Sequence, residues 1–266
     1  MVKRRIFQIF STIISNGYFP AIFKNSIYQG LLKGICHPGL NCYACPLAFA
    51  SCPIGTLQHF VAIRSFPFYL LGFLGTIGAT VGRMSCGWVC PFGFLQELLY
   101  KIKVPKITLP HFFSYVKYLT LIILVLLVPF LSGEPWFSKL CPAGTLEGGI
   151  FLYLWNPETG PLSGLRPLFG VLFEWKLVIL GVFLLLMLFI KRPFCRTACP
   201  LGAIYSLFNK VSILRLEIDL SRCDRCNVCQ KICPMDIKIY ESPNDLECIR
   251  CLQCLKKCRF IRKRFF

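Results

Sequence analysis

Two stretches of this chain repeat one cysteine spacing. From Cys223 the sequence reads C-D-R-C-N-V-C-Q-K-I-C-P, and from Cys248 it reads C-I-R-C-L-Q-C-L-K-K-C; both are C-x2-C-x2-C-x3-C. Three closely spaced thiolates wrap one iron–sulfur centre, and the fourth, carried on the following turn, reaches its neighbour. The spacing assigns Cys223, Cys226, Cys229 and Cys258 to one [4Fe-4S] centre and Cys248, Cys251, Cys254 and Cys233 to the other. Structural zinc sites use paired C-x2-C units or histidines, and no histidine lies beyond His111. One departure is Arg259, which follows Cys258 where many such runs place proline.

The rest of the chain is a membrane sequence. Hydrophobic residues make up 55% and charged residues 16% of the 266 positions, with mean hydropathy +0.61, too little polar surface to cover a soluble core. The same figures exclude intrinsic disorder. Four mostly apolar stretches approach the ~20 residues needed to cross a bilayer: 6–23 and 65–82, both uncharged, 112–133 and 172–190. The first contains Gln8, Asn16, Gly17 and Pro20, so an interfacial helix or an uncleaved signal anchor are its alternatives.

If all four cross, 24 of the 30 basic residues fall on the side holding both termini and six, Lys24, Lys33, Arg64, Lys139, Arg166 and Lys176, on the other. The positive-inside rule then places both termini and the C-terminal domain in the cytoplasm, in a multi-pass inner-membrane topology. The formal charge of +18 thus reads as topology and a basic cytoplasmic face, not as a nucleic-acid footprint. Trp88 and Trp175 read as interfacial anchors, and Glu97 and Glu174 as interfacial carboxylates.

The membrane part is duplicated. Cys86 opens C-G-W-V-C-P-F-G and Cys195 opens C-R-T-A-C-P-L-G, each just after a candidate span; on the opposite face Cys52 opens C-P-I-G-T-L-Q and Cys141 opens C-P-A-G-T-L-E. Two parallel copies should pack about a pseudo-twofold axis normal to the bilayer. That symmetry brings Cys86, Cys90, Cys195 and Cys199 together at the inner side, four thiolates for a third centre of either [4Fe-4S] or [2Fe-2S] type. Buried free thiols are the alternative. On the outer side Cys42, Cys45, Cys52 and Cys141 offer ligands for a fourth, with Cys36 spare; disulfides or zinc compete there.

These motifs resemble those of the membrane polyferredoxins related to NapH and NosR, the quinol-dehydrogenase-like partners of periplasmic nitrate and nitrous-oxide reduction. The match rests on Cys86 to Gly93, its copy Cys195 to Gly202, and the paired runs from Cys223 to Cys258. The resemblance implies a four-span protein with cytoplasmic clusters that moves electrons between quinol, cytoplasmic carriers and redox partners. The segment from Cys36 to Leu57 is not part of that pattern.

The expected architecture is a membrane α-helical domain of about four spans and two pseudo-repeats, followed by a small α+β bacterial two-cluster ferredoxin-like domain. Its parts are 1–59, an N-terminal span and outer cysteine-rich loop; 60–212, the duplicated membrane domain; and 213–266, the ferredoxin-like domain. No Ser/His/Asp or paired-carboxylate constellation is apparent, so the expected role is an electron-transfer subunit of an oxidoreductase. A maturation factor supplying electrons to a client metalloenzyme, or a redox sensor, would use the same ligands. His59 and His111 lie near membrane ends, positions from which a histidine can hydrogen-bond a quinone and where ordinary interfacial histidines also sit. Clusters of about −2 charge each would lower the positive charge without cancelling it, favouring an acidic soluble ferredoxin or flavodoxin as cytoplasmic partner, besides redox-enzyme subunits in the membrane.

Overall fold

Backbone polar groups away from water must be satisfied within their own segment, and the apolar stretches accordingly fold as helices. The computed structural model describes residues 2–24, 26–155 and 170–265; Arg166 lies outside them. The principal helices are α1 (Val2–Ser15), α2 (Pro53–Ala62), α3 (Phe68–Val81), α4 (Pro91–Leu99), α5 (His111–Ser132), α6 (142–154), α7 (Val171–Phe189) and α8 (Pro200–Phe208). Two strands, β1 (Arg215–Ile218) and β2 (Ile261–Arg264), pair antiparallel with Arg215 opposite Arg264 and bracket the C-terminal cysteine runs.

Three stretches are long and apolar enough to cross a membrane: Lys3–Lys24, His111–Ser132 and Val171–Phe189. The stretch 65–82 is a shorter helix than its composition suggests. Helix α3 has 14 residues, ~21 Å of rise against a hydrocarbon core of about 30 Å. Pro67 caps its start, and Gly82 ends it at φ +59° and ψ −131°, a backbone region that favours glycine. A side chain could not replace that glycine: its Cβ would meet Asn209 Oδ1 and Arg250 at 2.6 Å.

Helix α1 is turned inside out relative to a helix on a soluble core. Its apolar side chains Ile6, Phe7, Ile9, Phe10, Ile13 and Ile14 are exposed, as a lipid-facing surface would be. Its polar stripe faces inward at helical spacing. Arg4 and Gln8 both donate to the Gly87 carbonyl, Ser11 donates to that of Val89, and Ser15 bonds His37. Gln8, which weakened this stretch as a span in the sequence, is therefore a packing residue.

The two halves interlock. Helix α4, which follows the first inner motif, packs on α7, and α8, which follows the second, packs on α3. Each motif helix thus lies against the span of the other half. The C-terminal unit docks on the same centre: the Asn209 amide donates to the carbonyls of Asp245, Leu246 and Cys248, and Arg250 donates back to the Asn209 carbonyl. Trp88 belongs to this seam, its indole donating to the Arg250 carbonyl, and is not a membrane anchor; Trp175 remains exposed.

Candidate metal centres

Cys52, Cys90, Cys141 and Cys199 each stand at the N-cap of a helix whose first residue is proline. Proline fits that position because its missing N–H would have no helical partner, and the helix start favours negative charge. At the inner pair the third residue completes the arrangement: the Gly93 N–H donates to Cys90 Sγ at 3.4 Å and the Gly202 N–H to Cys199 Sγ at 3.3 Å. The motif C-P-x-G is therefore a thiolate cradle before it is anything else.

The structure brings Cys86, Cys90, Cys195 and Cys199 together, all buried. Burial and the neighbouring thiols push the Cys90 and Cys199 thiols well above their ordinary range, so four such groups can be thiolates together only with cations among them. Two arginines brace the set reciprocally. Arg83 donates to the Cys195 carbonyl and Arg192 to the Cys86 carbonyl, each at 2.7 Å. Arg83 pairs with Glu247 at 2.9 Å, Arg192 with Glu97 at 2.6 Å, and Lys117 and Arg4 complete the two carboxylate pairings. Burial alone would raise both carboxyls, but their arginines hold them below the usual range. Glu97 is thus a buried counter-ion and not an interfacial residue.

Gln96 donates to Cys195 Sγ at 3.0 Å, and its counterpart in the second copy, Tyr205, lies beside Ser85 and Cys86. The Ser85 and Tyr205 hydroxyls face each other beside Cys86, and Arg83 Nε and Arg192 Nε are buried donors without a hydrogen-bond acceptor among the described residues. Buried donors are rarely left so. Four thiols beside two guanidinium groups with unused donors fit an anionic, acceptor-rich iron–sulfur centre. Sequence reading missed these residues, although a signal existed. Both inner motifs extend to R-x2-C-x3-C-P-x-G, and the position six after the capping cysteine is Gln58, Gln96, Glu147 and Tyr205 in the four copies.

In the C-terminal unit the fourth cysteine of each run crosses over. One cavity of about 270 Å³ is lined by Cys223, Cys226, Cys229 and Cys258. A second, tighter cavity is lined by Cys233, Cys248, Cys251 and Cys254. Burial, together with Cys251 for Cys233 and with Cys251 and Cys233 for Cys254, pushes Cys233 up to about 11 and Cys254 to about 12. Cys226 is exposed.

The sets follow one another closely. Cys229 and Cys233 are four residues apart across the short helix Val228–Ile232, ~6 Å of rise. A Cβ on Gly87 would stand 2.5 Å from the Ile249 carbonyl oxygen, so the neighbouring Cys86 and Cys248 have Cα atoms within ~14 Å. On the far side the loop carrying the outer cysteines dips inward. A Cβ on Gly39 would meet the Cys90 Cα at 2.8 Å, which keeps Cys42, three residues on, within ~16 Å of Cys90.

The outer cysteines do not all gather. Cys42, Cys52 and Cys141 line one cavity of about 270 Å³, and Cys45 is not among its walls. Cys36 lies against Thr56, 3.8 Å from its hydroxyl. None of the 17 cysteines is joined in a disulfide. His59 is exposed, and His111 lines a polar cavity of about 240 Å³ with Ser114, Arg196 and Glu247.

Comparison with known proteins follows the same motifs. A 4Fe-4S binding domain model matches residues 51–69, 65–110 and 169–218, the segments holding Cys52, both inner motifs and their helices. An uncharacterized protein of Methanocaldococcus jannaschii is 32% identical over 224 residues, covering 80% of this chain and 84% of that protein. The chain belongs to the NapH-like polyferredoxins. The ferredoxin-type protein NapH of Haemophilus influenzae is 26% identical over 90% of this chain and 82% of its own length. The methylamine utilization ferredoxin-type protein MauN of Methylorubrum extorquens is 28% identical over 70% of this chain, which spans 58% of it. No solved structure matches.

Proposed function

We propose that this polyferredoxin is an integral-membrane electron-transfer protein in which three cysteine sets hold iron–sulfur centres. In this reading Cys223, Cys226, Cys229 and Cys258 hold one [4Fe-4S] centre, Cys233, Cys248, Cys251 and Cys254 a second, and Cys86, Cys90, Cys195 and Cys199 a third. Bound there, the centres supply one-electron exchange. The contiguity of the sets carries the reading: Cys233 follows Cys229 by four residues, and Cys86 and Cys248 have Cα atoms within ~14 Å, a series from exposed Cys226 to the buried inner four. The protein contributes spacing, exclusion of water and compensating charge. Arg83 and Arg192 offset the negative charge of the inner set, and Gln96 donates to one of its sulfurs.

The finer assignments follow from position. The boundary near residue 212 separates the duplicated membrane domain from the ferredoxin-like domain that docks on it. With 65–82 crossing as a fourth, short span, the charge asymmetry places both termini and that domain in the cytoplasm. At the Cys226 cavity the exposed residues Arg225, Lys257 and Arg259, against one carboxylate, Asp224, form a basic rim, suited to an acidic soluble ferredoxin or flavodoxin. A quinone partner is tested at the His111 cavity, where His111→Ala should slow quinol-linked turnover and leave reduction by a soluble donor unchanged. Iron and acid-labile sulfide analysis of anaerobically purified protein, with redox-titrated EPR, tests the whole reading. Signals from the C-terminal pair alone, in folded protein, would remove the inner centre from it.

A further inference from the structure

The cavity between Cys42, Cys52 and Cys141 is a built site that the three-centre reading does not use. Cys52 and Cys141 enter it from the starts of α2 and α6, and Cys42 from the inward-dipping loop. Gly144 and Gly148, one turn apart on α6, leave room for the third thiol: a Cβ on either would lie 3.5 or 3.2 Å from Cys42 Sγ. The Cys42 N–H donates to Glu147 Oε2 at 2.7 Å, which fixes the loop to α6. The volume, about 270 Å³, equals that of the cavity lined by four cysteines around Cys223.

Two observations define what the site would take. Among the described residues no three His, Cys, Asp or Glu side chains converge on a single metal ion, whereas a tetrahedral zinc needs its ligand atoms within about 2.3 Å of one point. Three thiols lining a cavity of about 270 Å³ leave room for a polynuclear centre. No fourth cysteine among the described residues lines the cavity; its other polar walls include Tyr43, Ser138, Lys176 and Lys139, the last paired with Glu134. Cys45 lies outside the cavity, buried in the loop with Lys33 the nearby cation. Lys176 has no carboxylate partner among the described residues.

We propose that Cys42, Cys52 and Cys141 hold a further iron–sulfur centre through three thiolates, its remaining iron facing the cavity beside Lys139 and Lys176 and open to a small anionic ligand. The assignment rests on the electron-transfer reading only for its role: the site lies within ~16 Å of Cys90 and extends the series toward the other face. Its ligand is a small anion of the thiolate or cyanide class, held by iron and by the ammonium groups.

The test uses full-length protein purified anaerobically in detergent. Wild type should contain ~16 irons per chain where three centres give ~12, and cyanide should shift one EPR signal and leave the others in place. Cys141→Ser should lose that signal and about four irons, while Cys45→Ser retains both. Equal losses in Cys45→Ser and Cys141→Ser would make the site four-cysteine and overturn the open corner, as would wild-type signals indifferent to cyanide. An iron count of ~12, or one zinc lost in Cys141→Ser, would overturn the centre itself. Cyanide and iron content are read on wild type, so a variant that fails to fold leaves the proposal exposed to refutation. Failure of the three-centre reading shows separately, as missing signals in Cys45→Ser and wild type alike.

Discussion

The inner cysteine set and the set around Cys223 offer the same four thiols in opposite settings. At the inner set every cysteine is buried, and Arg83 and Arg192, 0% and 1% exposed, tie each half to the other through the Cys195 and Cys86 carbonyls while pairing with Glu247 and Glu97. Around Cys223 one ligand is exposed, and the nearby ion pairs Arg222–Asp219 and Arg264–Glu217 lie in solvent. The difference teaches where each site's specificity resides. The inner site depends on charges that cannot be removed singly, and the outer rim of the C-terminal unit on charges that a partner can replace.

The comparison predicts its sharpest break at Glu247. Glu247→Leu leaves Arg83 and Lys117 as uncompensated buried cations, a loss on the order of 3–5 kcal/mol. Thermal unfolding in detergent should show it, while Glu217→Gln at the exposed pair leaves the transition where it was. Equal effects of the two would erase the distinction drawn here.

Next in size is the loss of a whole centre. Cys195→Ala should remove one EPR signal and spare the C-terminal pair, whereas Cys226→Ala should disturb one member of that pair and spare the inner signal. A third test probes the seam: in Gly87→Ala the new Cβ meets the Ile249 carbonyl at 2.5 Å, so the C-terminal unit must shift. Reduction of the inner centre by a soluble donor should slow severalfold, with all signals still present. The smallest effect belongs to Gln96→Leu, which removes a donor to Cys195 Sγ. The more negative, reduced state then loses a hydrogen bond, and the inner potential should fall by tens of mV. Tyr205→Phe at the matching position offers the same measurement for the second copy.

Much of this was legible in advance because it is local. Cysteine spacing, the proline after each capping cysteine and the hydropathy of 112–133 and 172–190 all depend on neighbours within a turn or a span. The stretch 65–82 is uncharged throughout, and only the contact of Gly82 with Asn209 and Arg250 shows why its helix stops at Val81. Glu97 and Trp88 looked interfacial by position and proved to be contacts between segments. Even Arg83 and Arg192, repeated three residues before each inner motif, carried no meaning until their carbonyl partners came from the opposite half.

By itself the sequence determined the chemistry on offer: a membrane chain of two copied units and a ferredoxin-type domain, with cysteines grouped by short spacing. The tertiary structure decided which groups meet. It interlocked the two halves, set Glu247 and Glu97 against the arginines, and carried the loop at Gly39 down to Cys90. It also put Cys42 on the outer cavity and left Cys45 off it. The physical reason is distance along the chain: ligand spacing is a property of a few residues, whereas compensation of buried charge joins groups as far apart as Arg83 and Glu247, whose meeting no local pattern encodes.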